Sequence, residues 1–324
     1  MSLMPNIADR LSLPAICAPM FLVSTVALVA EAAKAGIMAA IPRGNFRSTE
    51  EFAGALEEIA GQLAAHKEAM PDAVIGPVAV NLPTSLPADE LAHLLGICEK
   101  HGVRYFIAAT GDPTEFIKRV HDFGGRVLCD AISIRFAEKA IAAGADGITA
   151  ICSGGGGHSG SISAMAMIPR IREMFDGTLL LGGAISTGAA IRAAEVLGAD
   201  LAYIGTRFIA TQESGASEPY KQLLLSQTAK DITYTNSVTG VHASWMVESL
   251  RIAGLDPLNL PVPQAKMRYD HLPDDVRPWR DLWSAGHGVE LITDIPSVAE
   301  LVNRLRAEYV AAAQVPSAFL PQPR

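Results

Sequence analysis

Charge and long apolar runs are both scarce in this 324-residue sequence. Charged residues make up 19% of the chain, the formal net charge is -8, and no long run of Lys or Arg occurs. A nucleic acid is therefore not expected as a partner, because its phosphates require a basic surface. The Ala-rich stretch at residues 23–41 is interrupted by Glu31 and Lys34, so we expect no membrane-spanning helix.

Cysteine is also scarce. The four cysteines Cys17, Cys98, Cys129 and Cys152 lie in apolar surroundings without CxxC spacing. We expect buried thiols rather than disulfides or zinc ligands, and no metal centre. Residues 1–10 lack a basic segment followed by an apolar one, so a secretory signal is not expected and the cytoplasm is the expected location.

Hydrophobic residues, by contrast, make up 49% of the chain and can fill a large core. From residue 13 onward, eight short apolar runs alternate with amphipathic segments, which is typical of parallel strands linked by helices. We predict a (β/α)₈ TIM barrel with strands at 13–17, 37–41, 75–81, 105–109, 126–129, 147–151, 178–181 and 201–204. Ala-rich helices that end in Gly also occur in open doubly wound sheets, but eight units favour the closed barrel.

The composition changes after Gln212. Residues 215–249 are predicted to be helical, residues 251–281 are Pro-rich and irregular, and 296–313 form a last amphipathic helix. We therefore predict a barrel from 1–214 plus 296–324, with 215–295 as a C-terminal helical cap over the active site. The alternative is that this segment only packs against the outer helices.

Glycines follow the last two predicted strands, where barrels commonly bind a phosphate. Gly182 and Gly183 end the seventh strand, and Gly205 and Thr206 end the eighth. Backbone N–H groups can approach phosphate oxygens there without obstruction by side chains, so these four residues are the predicted phosphate cradle. Ordinary structural turns are the alternative.

The ends of two other strands suit a flat heteroaromatic ring. Ala18, Pro19 and Met20 follow the first strand, and Met offers an adaptable apolar contact. Asn81 ends the third strand and can both donate and accept hydrogen bonds at a ring edge. Either position alone could be ordinary core or turn.

The loop after the sixth strand reads CSGGGGHSG from Cys152 to Gly160. Four glycines cost chain entropy, so we expect them to carry backbone close to a ligand and to present His158 as a general base. Ser153 and Gly157 are predicted to contact the cofactor. A solvated histidine on a flexible loop is the alternative, as expected for the helix-borne His66, His93, His101 and His121.

These motifs resemble the nitronate monooxygenase family, formerly called 2-nitropropane dioxygenases. The likeness rests on CAPM at 17–20, the GGHSG loop, GTRF at 205–208 and the late segment RDLWSAGHGVELITDIPSVAELV, and it covers nearly the whole chain. The resemblance implies an FMN-binding barrel that oxidises alkyl nitronates, and in some members nitroalkanes, with O₂ to a carbonyl compound and nitrite. It also implies that His158 is the catalytic base.

Two positions depart from the family pattern. Asp130 stands at the end of the fifth strand, where many relatives carry a basic residue facing the flavin; a carboxylate disfavours an anionic reduced flavin unless it is protonated or paired. SAGHG replaces the more common SAGQ, so Ser284 and His287 are candidates for the substrate side, as is His242. For both histidines a structural role is favoured.

Other functions remain open from the sequence. Flavin-dependent enoyl-ACP reductases share the GGH and GTRF motifs and use NAD(P)H, and a non-catalytic flavin binder is a third reading. An inosine-monophosphate-dehydrogenase-like role for Cys152 is disfavoured, because this cysteine precedes the glycines and belongs to the strand. The expected partners are a small-molecule substrate and O₂. The sequence leaves open the substrate chain length and whether the chain forms a homodimer.

Overall fold

The computed structural model describes residues 3–4 and 7–314, so the predicted barrel segment 315–324 lies outside the described residues. The strands, in chain order, are β1 Ala15–Cys17, β2 Met38–Pro42, β3 Val78–Leu82, β4 Tyr105–Ala108, β5 Arg126–Ala131, β6 Gly147–Ile151, β7 Gly157–His158, β8 Thr178–Gly182, β9 Leu201–Ile204, β10 Ile232–Thr235 and β11 Ala243–Met246.

Eight of these strands close into a parallel barrel in the order β1-β2-β3-β4-β5-β6-β8-β9. Closure is made by β1 against β9, with Ile16 opposite Tyr203. Each barrel strand overlaps one of the eight predicted runs, and the predicted TIM barrel is confirmed. Such continuous apolar runs form strands because parallel strands in a barrel are covered on both faces.

The helices are α1 Val26–Lys34, α2 Thr49–Ala69, α3 Ala88–Lys100, α4 Thr114–Asp122, α5 Ile134–Ala142, α6 Ala164–Arg172, α7 Gly188–Leu197, α8 Thr206–Ile209, α9 Glu218–Ser226, α10 Val247–Ile252 and α11 Val298–Ala313. Hydroxyl caps start several of them; Thr187 Oγ1, for example, accepts from Ala190 N. Gly198 ends α7 with φ +109°, which glycine adopts without strain. The pattern of an Ala-rich helix that ends in glycine, read from the sequence, is therefore present in α7.

Apolar side chains fill the barrel interior at the amino-terminal ends of the strands. Ala79, Leu128 and Leu201 belong to one buried apolar cluster inside the barrel. Side chains two residues apart on a strand share a face. Asn81, Asp130 and Tyr203 therefore continue the same inward-facing rows at the carboxyl ends of β3, β5 and β9, where barrel active sites are built.

A second sheet was not predicted. Strands β10, β11 and β7 form a three-stranded antiparallel sheet, with β11 between β10 and β7. The helical prediction for 215–249 is correct for α9 and the start of α10 but wrong for β10 and β11. Strand pairing with the distant Gly157–His158 segment overrides local helix propensity here.

The Pro-rich segment that follows α10 is irregular, as predicted, and α11 then packs against α7 and α1. All four cysteines are unpaired and buried, which confirms the expectation of buried thiols. Within the described residues, no helix combines the length and the apolar character needed to span a membrane.

Candidate active site

The inward-facing residues at the barrel mouth offer hydrogen-bonding groups above an apolar floor. Asn81 Nδ2 donates to the backbone oxygen of Ile107 at 3.2 Å, which fixes the amide at the end of β3. No described residue donates a hydrogen bond to its side-chain oxygen. Asn81 can therefore still accept a hydrogen bond from a bound molecule.

Asp130 is the least satisfied polar group at the mouth. It lies opposite Thr149 in the β5–β6 register. Asp130 Oδ1 and Thr149 Oγ1 are both buried, and neither forms a hydrogen bond of normal geometry among the described residues. Burial raises the pKa of Asp130 to about 7, although the Thr149 hydroxyl is close enough to Asp130 to lower this pKa slightly. Buried polar atoms normally have partners, so this pair is consistent with a polar ligand edge at the barrel mouth.

Tyr203 is a neighbour of Asp130 that the sequence did not single out. Burial raises the pKa of this phenol well above its ordinary value, and the nearby charge of Asp130 raises it further. A methyl group at Gly182 would lie 3.3 Å from the Tyr203 ring. Gly182 therefore makes room for this ring as well as ending β8.

The predicted phosphate cradle lies on two neighbouring strands. Gly183 follows β8 with φ +135°, which favours glycine, and Gly205 precedes α8. The backbone N–H groups of Gly183, Gly205 and Thr206 donate to no acceptor within the described chain. The Thr206 hydroxyl accepts from Gly286 N at 2.9 Å. Three backbone donors without acceptors thus lie after the neighbouring strands β8 and β9, where a phosphate was predicted.

The segment after β1 adjoins this cradle. Ala18 N donates to Ile204 O at 2.9 Å, which continues the β1–β9 ladder. Pro19 precedes Met20, and the Met20 sulfur would lie 3.7 Å from a methyl group at Gly205. Ala18, Pro19 and Met20 therefore lie beside Gly205 and Thr206, as one ligand site requires.

The glycines of the loop after β6 have a role that the sequence did not indicate. Gly154 O accepts from His287 N at 2.8 Å. A methyl group at Gly156 would lie 2.9 Å from Gly286 N, and one at Gly286 would lie 2.7 Å from Gly156 N. These glycines let the loop and the 284–288 segment pack backbone against backbone. Ser153, at the start of the loop, is exposed and its N donates to Ile162 O at 2.8 Å.

His158 lies on β7 opposite Ala243 of β11. Its ring contacts the edge of Trp279, with centroids 5.3 Å apart and planes at 76°. Nε2 lies 3.4 Å from Thr239 Oγ1. Burial lowers the pKa of His158, so the imidazole is neutral near neutral pH, the form a general base requires.

The predicted substrate residues have different surroundings. Ser284 is buried; its hydroxyl accepts from Gly157 N at 2.6 Å and donates to Ser244 O at 2.5 Å. It holds the histidine loop rather than facing open space. His287 is exposed beside Gly154, whereas His242 is exposed and stacks on Tyr234, with centroids 5.1 Å apart.

Thr239 and Trp279 are the neighbours of His158 that sequence reasoning missed. Both come from the segment after β9, far from the glycine loop in sequence. Trp279 is one of three tryptophans and stands in a Pro-rich stretch, which gave the only available signal. Thr239 had no signal, because a single buried threonine has no motif.

A separate cavity of about 470 Å³ lies at the opposite, amino-terminal end of the barrel strands. Arg104, Tyr105 and Arg126 contribute to its wall. Arg126 pairs with Asp146 at 2.9 Å. This cavity contains none of the predicted site residues.

Eight parallel strands that close on themselves, with helices between them, define a (β/α)₈ barrel. A model of the nitronate monooxygenase family matches residues 6–308. The chain belongs to this family.

Among curated relatives, the nitronate monooxygenase of Paraburkholderia phytofirmans is 34% identical over 153 residues, 44% of this chain and 42% of that protein. The chain spans about half the length of the curated relatives it matches. The solved nitroalkane oxidase from Streptomyces ansochromogenes is 24% identical, with a TM-score of 0.75 over 94% of this chain and 98% of that one.

The same fold extends further. The enoyl reductase domain of MlnA from Bacillus amyloliquefaciens is 14% identical, with a TM-score of 0.71 over 96% of this chain and 98% of that one. At these identities the structural likenesses support the barrel alone.

Proposed function

We propose that this protein is a flavin oxidoreductase that binds FMN at the barrel mouth. The free N–H groups of Gly183, Gly205 and Thr206 would hold the phosphate, and the side-chain oxygens Asp130 Oδ1 and Asn81 Oδ1 would meet polar edges of the ring system. Ala18, Pro19 and Met20 would border the ring. Family membership and these unsatisfied groups support the assignment.

The proposed reaction is the oxidation of alkyl nitronates by O₂ to a carbonyl compound and nitrite. The bound flavin would supply the redox chemistry. His158 acts when the substrate is a neutral nitroalkane: it takes the proton from the α-carbon, and the cap excludes water around it. The observation that carries this role is a half-buried imidazole, with its pKa lowered by desolvation, next to the glycine-rich loop that follows β6.

We further propose that residues 215–295 act as a cap over the site. Two contacts support it: Gly286 N donates to Thr206 Oγ1 at 2.9 Å, and Gly157 N donates to Ser284 Oγ at 2.6 Å. Both connect the cap to residues of the proposed site. The cap would therefore order the histidine loop as well as cover it.

The test is anaerobic mixing of the purified yellow protein with propyl-2-nitronate and, separately, with NADH. Flavin bleaching by the nitronate, with nitrite formed on admitting O₂, is expected. Bleaching by NADH alone would replace the proposal with an NAD(P)H-dependent reductase of the enoyl-ACP reductase kind. A protein that binds FMN but reacts with neither would be a flavin binder, and one that cannot bind FMN would overturn the cofactor assignment.

A further inference from the structure

The turn that carries Thr239 is held firmly against the 265–267 segment of the cap. Thr239 is fully buried between β10 and β11. Gly240 N donates to Asn236 O at 2.7 Å, and Met267 N donates to Thr239 O at 2.8 Å. A methyl group at Gly240 would lie 2.8 Å from the backbone of Lys266, so the two segments are in close contact. The Thr239 hydroxyl therefore has a fixed position beside His158.

The hydrogen bonds of this hydroxyl have a definite direction. Thr239 Oγ1 donates to Val241 O at 3.0 Å. Because this hydroxyl has one proton, and Val241 O can only accept, Thr239 Oγ1 acts as an acceptor towards its other neighbours, one of which is Val241 N at 3.4 Å. His158 Nε2 lies 3.4 Å from the same oxygen. A hydrogen bond between them requires the hydrogen on Nε2, and a neutral imidazole then carries its lone pair on Nδ1.

We propose that Thr239 is a positioning residue that holds His158 as the neutral Nε2–H tautomer, so that Nδ1 takes the substrate proton. This inference rests on the proposed function. In the step, the α-carbon–hydrogen bond of a neutral nitroalkane breaks and its electron pair remains on the substrate as the nitronate. The proton forms a new bond to Nδ1, and Thr239 Oγ1 continues to accept from Nε2–H of the resulting imidazolium.

The remaining surroundings of the ring leave this tautomer undisturbed. Nδ1 has no hydrogen-bond partner among the described residues. Burial is the cause of the lowered pKa of His158, and the segments against its ring present Thr239 and Trp279, which do not titrate near neutral pH. Trp279 has φ +71°, rare for a residue with a side chain, and packs on Trp245 with centroids 4.4 Å apart.

The first test is nitrogen NMR of the full-length, flavin-loaded protein with ¹⁵N-labelled histidine. The His158 signals are identified by their loss in His158→Gln. We expect the wild type and Thr239→Ser to show a protonated Nε2 and an unprotonated Nδ1. Thr239→Val, which cannot accept, should show mixed tautomers. The control Thr235→Val removes another cap hydroxyl, which bonds only within the cap to Ser237, and should leave the His158 signals unchanged.

The second test is kinetic. Thr239→Val should lower kcat with neutral nitroalkane on the order of tenfold, a part of the about 10²- to 10⁴-fold that a general base provides. Turnover of the preformed nitronate should fall far less, and Thr239→Ser should restore the nitroalkane rate.

A wild-type spectrum with the proton on Nδ1 would overturn the inference, and so would an unchanged tautomer in a folded Thr239→Val. If that variant fails to fold, the wild-type and Thr239→Ser spectra still decide. The tautomer is measured without substrate, so a protein that oxidises no nitronate refutes the proposed function and not the Thr239–His158 hydrogen bond.

Discussion

The barrel and the cap contribute to the candidate site in different ways. Barrel residues such as Asn81, Asp130 and Gly183 lie at strand ends, and each keeps one polar atom without a hydrogen bond in the described chain: Asn81 Oδ1, Asp130 Oδ1 and Gly183 N. Cap residues such as Ser284 and Thr239 are hydrogen-bonded to the histidine loop or to His158 itself. The barrel thus has polar atoms without hydrogen bonds at its strand ends, whereas the polar groups of the cap are bonded to His158 and its loop.

This difference indicates which groups of the candidate site must be held in place before a ligand binds. A phosphate and a ring can satisfy backbone and side-chain groups that are left open in advance. A general base must instead be held in one protonation state and one orientation before the substrate arrives. The glycine loop connects the two regions, because it leaves β6 of the barrel and supplies β7 to the cap sheet.

The largest expected effect falls on His158, which both regions position. His158→Ala should lower turnover of a neutral nitroalkane by about 10²- to 10⁴-fold, whereas nitronate turnover should fall much less because that substrate is already deprotonated. Steady-state kinetics with the two substrates measure the difference. The matched control is His93→Ala, at an exposed position of α3, which should change the turnover of neither substrate. Equal losses with both substrates would show that His158 is not the base.

The next largest effect is expected where the cap meets the glycine loop. Gly286→Ala should destabilise the protein by about 2 to 3 kcal/mol, because the methyl group would meet the backbone of the loop, 2.7 Å from Gly156 N. It should also weaken FMN retention. Thermal unfolding and flavin release measure both. The control is Gly61→Ala in α2. A methyl group at Gly61 would have no neighbour within 4 Å, so this variant should not destabilise the protein. If Gly286→Ala has the stability and the FMN retention of the wild type, the contact between the cap and the glycine loop does not support the site.

Asp130 tests the barrel without the cap. Burial raises the pKa of Asp130 to about 7, so the folded protein keeps a proton that the unfolded chain loses at about pH 4. The contribution of Asp130 to the free energy of unfolding is therefore largest below about pH 4 and is lost as the pH rises from 4 to 7. The stability difference between Asp130→Asn and the wild type should therefore favour the variant by about 3 kcal/mol more at pH 8.5 than at pH 5. Thermal melts at both pH values measure this gain, and equal differences would contradict the raised pKa.

The smallest effect is expected for Ser284. Ser284→Ala removes the acceptor of Gly157 N and should cost about 1 kcal/mol of stability. The histidine loop should also exchange its amide hydrogens faster. Ser226→Ala, at the exposed end of α9, removes a hydroxyl that bonds only its own helix and should be nearly neutral. Exchange at Gly157 that matches the wild type would mean that the cap does not order the loop.

Much of the barrel could be predicted because its signals are local. Gly36, Gly102, Gly144 and Gly198 follow the carboxyl ends of helices, where glycine is typical, and all have positive φ. The prediction of a phosphate cradle likewise used the position of glycines after the last two strands, and it stays a prediction. For the glycine loop, the sequence predicted contact with a ligand but not contact with the cap. In the structure, Gly154 and Gly156 contact Gly286 and His287.

The sequence by itself determined the eight strands, their order and the residues at their carboxyl ends, because apolar periodicity and glycine stops act within a few residues. Only the tertiary structure decided that 232–246 contains strands, that Asp130 Oδ1 is buried without a hydrogen bond, and that Thr239 and Trp279 lie against His158. Those features depend on pairing and burial between segments far apart in the chain, and such contacts leave no local pattern to read.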